Sequence, residues 1–188
     1  MHHHFLLHKP HGYLSQFVYE KKRFKKLLGE LYDFPEGTMA IGRLDEDSEG
    51  LLLLTTDGME SENVRSKTVE KEYYAQVDGL VTQAAIEQLK KGVEIGFKGI
   101  RYTTKPCEAS IISDLPDYIG TGRRIRDERH GPTSWLSVTL TEGKFRQVRK
   151  MTAAVGFPTL RLVRVRVGGI TLQNLKAGEV VQVENFLL

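Results

Sequence analysis

The longest unbroken apolar run in the chain is Leu51 to Leu54, only four residues. A helix that crosses a bilayer needs about 20 apolar residues, so no helical membrane span is expected. A run this short, with Gly50 before it and Asp57-Gly58 after it, suits a buried strand ending in a tight turn. The other apolar segments are as short. Phe5 to His8 reads as a strand stopped by Pro10 and Gly12, and Thr38 to Ile41 as a strand entering a loop. Val69 to Val77, rich in β-branched and aromatic residues, and Pro106 to Ile112 read as further strands. Trp135 to Leu140 alternates, with Leu136, Val138 and Leu140 on one side and Trp135, Ser137 and Thr139 on the other. Leu160 to Val167 alternates Leu and Val with Arg, which predicts one buried face and one basic face. Val180 to Phe186 supplies a closing strand.

Helical spacing occurs over Lys21 to Leu31, where Phe24, Leu27, Leu28 and Leu31 line one face. It recurs over Thr82 to Lys91, with Thr82 as N-cap, and over Phe145 to Val155. Strands outnumber helices, and hairpin-length connections outnumber crossovers. The expected architecture is α+β, a mainly antiparallel mixed sheet with flanking helices. The 188 residues fit a single domain, 1–188. Two lobes of about 1–60 and 61–188 around a central cleft fit equally well.

Charge is unevenly spread. Between Gly120 and Arg166 eleven Lys and Arg face three acids, a net of +8 in a chain of formal net charge +3, which leaves −5 for the rest. Nine of the eleven are arginines, whose planar fork suits phosphate better than a lysine point charge. Such asymmetry is the footprint of a protein that meets a polyanion, although a solvated charged face gives the same count. Arg123, Arg124, Arg126 and Arg129 lie beside Gly120 and Gly122 in a stretch without periodicity, which reads as a mobile loop that orders on a polyanion. The single cysteine, Cys107, has no partner within the chain, so a reducing cytoplasmic setting is expected. His2, His3 and His4 have no acid or cysteine nearby to complete a metal site.

The densest chemical feature is Gly42-Arg43-Leu44-Asp45-Glu46-Asp47-Ser48-Glu49-Gly50, with four acids in five positions of a loop between two strands. Like charges this close repel. An acidic loop with no structural reason for it points to a functional site, while a solvated acidic turn is the plain alternative. A calcium loop of the EF-hand kind needs a bidentate Glu at its twelfth position, where Thr56 stands, so that reading is rejected. Asp45-x-Asp47-Ser48 also fits an aspartyl-nucleophile phosphatase, but such enzymes need a parallel, doubly wound sheet that the strand pattern does not give.

Gly42-Arg43-Leu44-Asp45, followed by Asp47-Ser48-Glu49-Gly50-Leu51-Leu52, resembles the signature of the ribosomal RNA pseudouridine synthases. Lys9-Pro10-x-Gly12 resembles that family's first motif and Lys71-x-Tyr73 its second. Glu142 to Met151 resembles the last motif of the branch acting on small- and large-subunit rRNA. Pro132 to Leu136 and Gly156 to Leu162 are similar to the large-subunit pseudouridine synthase E group. Phe145 stands where many relatives have Asn, and Lys150 where many have Arg. The resemblance runs from about Phe5 to the C-terminus, and it implies the pseudouridine synthase catalytic fold without an S4-type domain.

The resemblance also implies the reaction and its residues. A uracil in large-subunit (23S) rRNA is cut from its ribose, turned and rejoined through carbon, after leaving its stack. Asp45 is the implied nucleophile, either attacking C1′ or removing the C2′ proton. Arg149 matches the arginine that pairs with the catalytic aspartate. Tyr73 matches the tyrosine that packs on the target base, a stack worth about 1–3 kcal/mol. Arg43, Lys9, Lys71, Lys144, Arg146, Lys150, Arg123, Arg124 and Arg126 are the expected RNA contacts, with Lys9 and Lys71 serving either phosphate or the order of the site. On helical geometry Arg146, Arg149, Lys150 and Ala153 share one face, and Val148, Met151 and Val155 the other. No metal or organic cofactor is implied. The expected partner is large-subunit rRNA or an assembling ribosomal subunit, met by a cytoplasmic monomer away from membranes. The reading from another class is a non-catalytic RNA-binding or ribosome-assembly module.

Overall fold

The computed structural model of the chain describes residues 2–20, 24–66, 68–120, 123 and 125–188. It divides into two units, Met1–Val69 with Arg164–Leu188, and Glu70–Val163. The elements are β1 (His4–Lys9), β2 (Met39–Ile41), β3 (Glu49–Thr55) and α1 (Gly58–Ser66), then β4 (Lys71–Asp78), α2 (Gln83–Lys91), β5 (Glu94–Phe97) and β6 (Ile100–Thr103). After these come β7 (Glu108–Ile112), α3 (Asp117–Gly120), β8 (Thr133–Leu140), α4 (Gln147–Ala154), β9 (Thr159–Val167), β10 (Ile170–Thr171) and β11 (Val180–Val183). The β1–β11, β1–β3, β2–β3, β4–β8, β7–β8, β5–β6 and β9–β10 pairings are all antiparallel. This is the expected α+β class.

In the first unit the four-leucine run sits in β3, every residue of which is buried. Both faces of β3 are covered, which is why its sequence does not alternate. Asp57-Gly58 does not close a hairpin. The Asp57 carboxylate accepts from the Met59 amide at 2.9 Å and so caps α1, a helix that the apolar pattern left unmarked. The Lys21 to Leu31 helix does not form over its described part. Leu14 N donates to Lys26 O at 2.9 Å and Leu28 N to Gln16 O at 3.0 Å, so this backbone bonds to a distant segment. Only one 3₁₀ turn, Leu28–Glu30, is helical, and Phe24 is fully exposed. Lys21, Lys22 and Arg23 lie outside the described residues.

In the second unit β4, β8 and β7 form a meander-like sheet in which Lys71 opposes Leu140 and Tyr73 opposes Val138. Ala75, Val77, Leu136, Val138 and Leu140 point into a core closed by Ile86 and Leu89 of α2 and Val148 and Met151 of α4. Thr82 caps α2 as expected, accepting from Ala85 N at 3.2 Å. The other side of β8 is covered too: Ser137 is buried and donates to Glu72 Oε1 at 3.0 Å. The β5–β6 hairpin was not legible in the sequence. Its two-residue turn is Lys98-Gly99, with φ of 50° and 78°. Positive φ at both positions is what this tight turn requires, and a side chain there costs on the order of 1 kcal/mol.

The arginines of β9 correct the expectation of a basic face. Arg161 and Arg164 are buried, at 3 % and 5 % exposure. Arg161 Nη1 donates to Ile119 O at 2.7 Å, with its guanidinium 5.6 Å from the Trp135 ring centre. Arg164 Nε donates to Leu51 O at 2.8 Å, and half-buried Arg166 donates to Gly168 O at 2.9 Å. Their donors satisfy carbonyls inside the fold, because a buried carbonyl without a donor is costly.

Gly50, with φ of 108°, lies so close to β9 that a Cβ on it would stand 2.2 Å from the Arg164 carbonyl oxygen. Gly50→Ala adds backbone strain to a clash with main chain that has no rotamer to yield. Its expected cost is about 2–4 kcal/mol, read as a lowered midpoint in urea unfolding. An unchanged midpoint refutes this packing.

Candidate active site

The acidic loop joins β2 to β3 in the first unit, and local contacts fix it on both sides of Asp45. Leu44 is buried. Its amide donates to Ser15 Oγ at 3.0 Å, and that hydroxyl donates to the Leu44 carbonyl at 2.8 Å. On the other side the Glu46 carbonyl accepts from Gly12 N at 2.8 Å, and the Glu46 carboxylate pairs with Lys25 at 2.6 Å. Ser48 N closes the turn onto the Asp45 carbonyl at 3.0 Å. Asp45 itself is half-buried, between two residues whose backbone is tied down. Ser15 had no signal in the sequence, because a serine beyond Gly12 carries no pattern of its own.

Lys9 lies beneath this loop. The β1–β3 register sets it opposite Gly50, and it is 0 % exposed. Its Nζ donates to the carbonyls of Tyr13 at 2.7 Å, Pro10 at 3.0 Å and Glu46 at 3.5 Å. Of the two roles expected of Lys9, phosphate contact and ordering of the site, a fully buried ammonium bound to main chain supports the second. Burial pulls its pKa down from 10.5 to about 8, against the opposing pull of Glu49, Asp47, Asp45 and Glu46. Arg43, by contrast, is exposed and pairs with Glu20 at 3.1 Å.

The remaining candidates belong to the second unit. Tyr73 is half-buried in β4 and packs against the core cluster, while Tyr74 points to the other face. Lys71 is half-buried at the start of the same strand. Arg149 is half-buried on α4, and buried Val148 and Met151 seat that helix. Arg146 is the residue before α4, with a left-handed φ of 51°. Glu142 and Gln147 shape the turn that leads there. The Glu142 carboxylate accepts from Gln147 Nε2 at 2.7 Å, from Lys105 N at 2.8 Å and from the Tyr102 hydroxyl. Sequence reasoning assigned these two residues no role, though they belong to the last motif.

Lys144 and Lys150 are brought together, 5.2 and 6.0 Å from the centre of the Phe97 ring. Arg123 is exposed. Arg126, an expected RNA contact, donates to Asp78 Oδ1 at 2.6 Å and to Pro132 O at 3.2 Å. Arg124 lies outside the described residues. No helix among the described residues is long and apolar enough to cross a membrane.

The acidic loop, tied down on both sides of Asp45, leads into the buried leucine-rich strand β3. Residues 3–154 match the RNA pseudouridylate synthase family, and the chain belongs to it. Among its relatives, the ribosomal large subunit pseudouridine synthase E of Vibrio vulnificus (strain CMCP6) is 43 % identical over 176 residues, spanning 93 % of this chain and 72 % of that protein. The protein of the same name from Xanthomonas axonopodis pv. citri (strain 306) is 39 % identical over 172 residues, spanning 90 % and 88 %. A crystal structure of a pseudouridylate synthase superposes with a TM-score of 0.75 at 26 % identity, over 97 % of this chain and 70 % of the other.

The buried ammonium predicts an alkaline effect on stability. Between about pH 8 and pH 10.5 the unfolded chain holds a proton on Lys9 that the folded chain has lost, so stability rises with pH across that window. Lys9→Met lacks this titration. The stability of wild type relative to Lys9→Met is expected to grow by up to about 3 kcal/mol from about pH 7 to about pH 11. Urea unfolding at each pH measures it, and a flat difference would mean that Lys9 keeps its hydration.

Proposed function

We propose that this chain isomerises a uridine in large-subunit (23S) ribosomal RNA to pseudouridine, with Asp45 as the catalytic nucleophile. The observation that carries the reading is Asp45 itself, a carboxylate in the family's signature loop, fixed through Leu44 and Glu46. The substrate class is supported by the relatives, which bear the name of large-subunit synthases.

The chemistry balances without a cofactor. The bond from C1′ to uracil N1 breaks, a bond from C1′ to C5 forms, and the proton on C5 leaves while N1 gains one. Asp45 serves because it is a weak base and a competent nucleophile at neutral pH, acting at C1′ or on the C2′ proton. The base must be flipped out of its stack to reach it. In this reading Tyr73 packs on the target base and Arg149 serves as the last motif's cation at the reacting centre. Arg43, Lys71, Lys144, Arg146, Lys150, Arg123 and Arg124 contact RNA. The enzyme works as a cytoplasmic monomer away from membranes, on rRNA or on an assembling subunit.

Asp45→Asn keeps the size of the side chain and removes its charge. It is expected to abolish tritium release from C5-labelled uridine in a large-subunit rRNA transcript, with RNA affinity within roughly a few fold of wild type. Turnover by purified Asp45→Asn sinks the assignment. Wild type that binds the transcript but releases no tritium would instead mark a non-catalytic RNA-binding module.

Arg149→Met is expected to lose activity at least about a hundredfold, the usual cost of removing one preorganised charge from a reacting centre. The readout is single-turnover kinetics at saturating RNA, with circular dichroism to verify the fold. Wild-type turnover would make Arg149 a surface charge only.

A further inference from the structure

The β5–β6 hairpin and the turn before α4 gather a set of side chains that the reaction does not use. Phe97 is surrounded by three ammonium groups: Lys144 at 5.2 Å, Lys98 at 5.5 Å and Lys150 at 6.0 Å from its ring centre. Lys144 also lies 5.1 Å from the Tyr102 ring and Lys150 5.5 Å from the Phe145 ring. Among the described residues no carboxylate is within ion-pair distance of these three lysines. The acids carried on the same elements are already engaged, Glu94 by Arg101 at 3.3 Å and Glu142 by its three donors.

Three positive charges held around one ring repel one another, and in water they separate unless something offsets them. The aromatic faces offset part of this, and a polyanion would offset the rest. Two further features go against folding economy. Lys98 occupies a left-handed turn position with φ of 50°, where Asn or Gly fits without strain. Phe145 is 66 % exposed, in a turn whose neighbours Glu142 and Gln147 are firmly hydrogen-bonded. A strained lysine and an uncovered phenylalanine on a rigid frame are what a binding surface retains.

We propose that this hairpin and turn form a cradle for a single-stranded segment of the RNA substrate, with Lys98, Lys144 and Lys150 on successive phosphates and Phe145 stacking on a base. The cradle rests on the proposed rRNA substrate and adds to it a surface, on β5–β6, that no sequence motif marked. The chemistry is that of single-strand binding in general, cations along the backbone with aromatic faces for bases. An acidic polypeptide would satisfy the lysines but would leave Phe145 without a partner.

Two variants separate the contributions, in the full chain, with a labelled single-stranded transcript of large-subunit rRNA as probe. Lys98→Asn removes one charge and suits the turn, so its thermal midpoint is expected at or above that of wild type while RNA affinity falls. The log–log salt slope should shrink by about 0.7, the value for one phosphate contact on a single strand. Phe145→Ala should weaken binding about 5- to 150-fold with the slope unchanged, as the loss of one stacked base requires. Wild-type affinity and slope in both variants overturn the proposal. So does weakened binding of poly-glutamate with RNA affinity intact, which would assign the surface to an acidic protein. Affinity is read without turnover, so a chain that binds as described yet releases no tritium refutes the proposed activity and leaves the cradle standing.

Discussion

An ammonium group taken out of water costs several kcal/mol unless carbonyls or carboxylates replace its hydration. Lys9 meets that demand with the carbonyls of Pro10, Tyr13 and Glu46, and the first unit is arranged around the need. The β1–β3 register sets Lys9 opposite Gly50, and Gly50 is the one residue type that lets β9 approach at that point. The Glu46 carbonyl takes a second donor from Gly12, so the first motif and the acidic loop share a single network. The crowded acids of that loop also find their explanation here. Glu49, Asp47, Asp45 and Glu46 all favour the charged form of the lysine beneath them, which offsets part of their mutual repulsion.

The arginines illustrate how a charge count and a charged surface differ. The segment from Gly120 to Arg166 carries +8. Yet Arg161, Arg164 and Arg166 spend donors on carbonyls of Ile119, Leu51 and Gly168, and Arg126 is paired with Asp78. A guanidinium is weakly hydrated and has five donors, so it is the cation that a fold can most readily use as internal bracing. The outward positive field therefore rests on fewer residues than the sequence suggests. Part of it comes from Lys98, on a hairpin outside that segment.

Within a single motif the same division appears. In Glu142 to Met151, Val148 and Met151 anchor α4 in the core, and Glu142 and Gln147 hold the turn in front of it. Lys144 and Lys150 gather around Phe97, and Lys150 donates to Gly96 O at 2.9 Å. A motif match treats these residues alike, because it reads residue order and not position in space. Only the geometry tells which carboxylate is a brace and which aromatic is left uncovered.

The sequence by itself determined what local chemistry determines. The short apolar runs became β1, β3, β4, β7 and β8, Thr82 capped α2, and the signature around Asp45 led to the family. These depend on period, on a hydroxyl three residues from an amide, or on residue order, and all can be read along the chain. Tertiary structure decided the rest, because the deciding partner lay far away in sequence. The spacing of Lys21 to Leu31 was helical, but Tyr13 to Gln16 claimed the backbone of its described part. The alternation of β9 promised an exposed basic face, but Ile119 and Leu51 drew its arginines inward. The sequence left Lys9 between phosphate contact and ordering of the site, and the β1–β3 register buried it. Side-chain direction follows from where unsatisfied carbonyls stand in the folded chain, and no window of sequence contains that information.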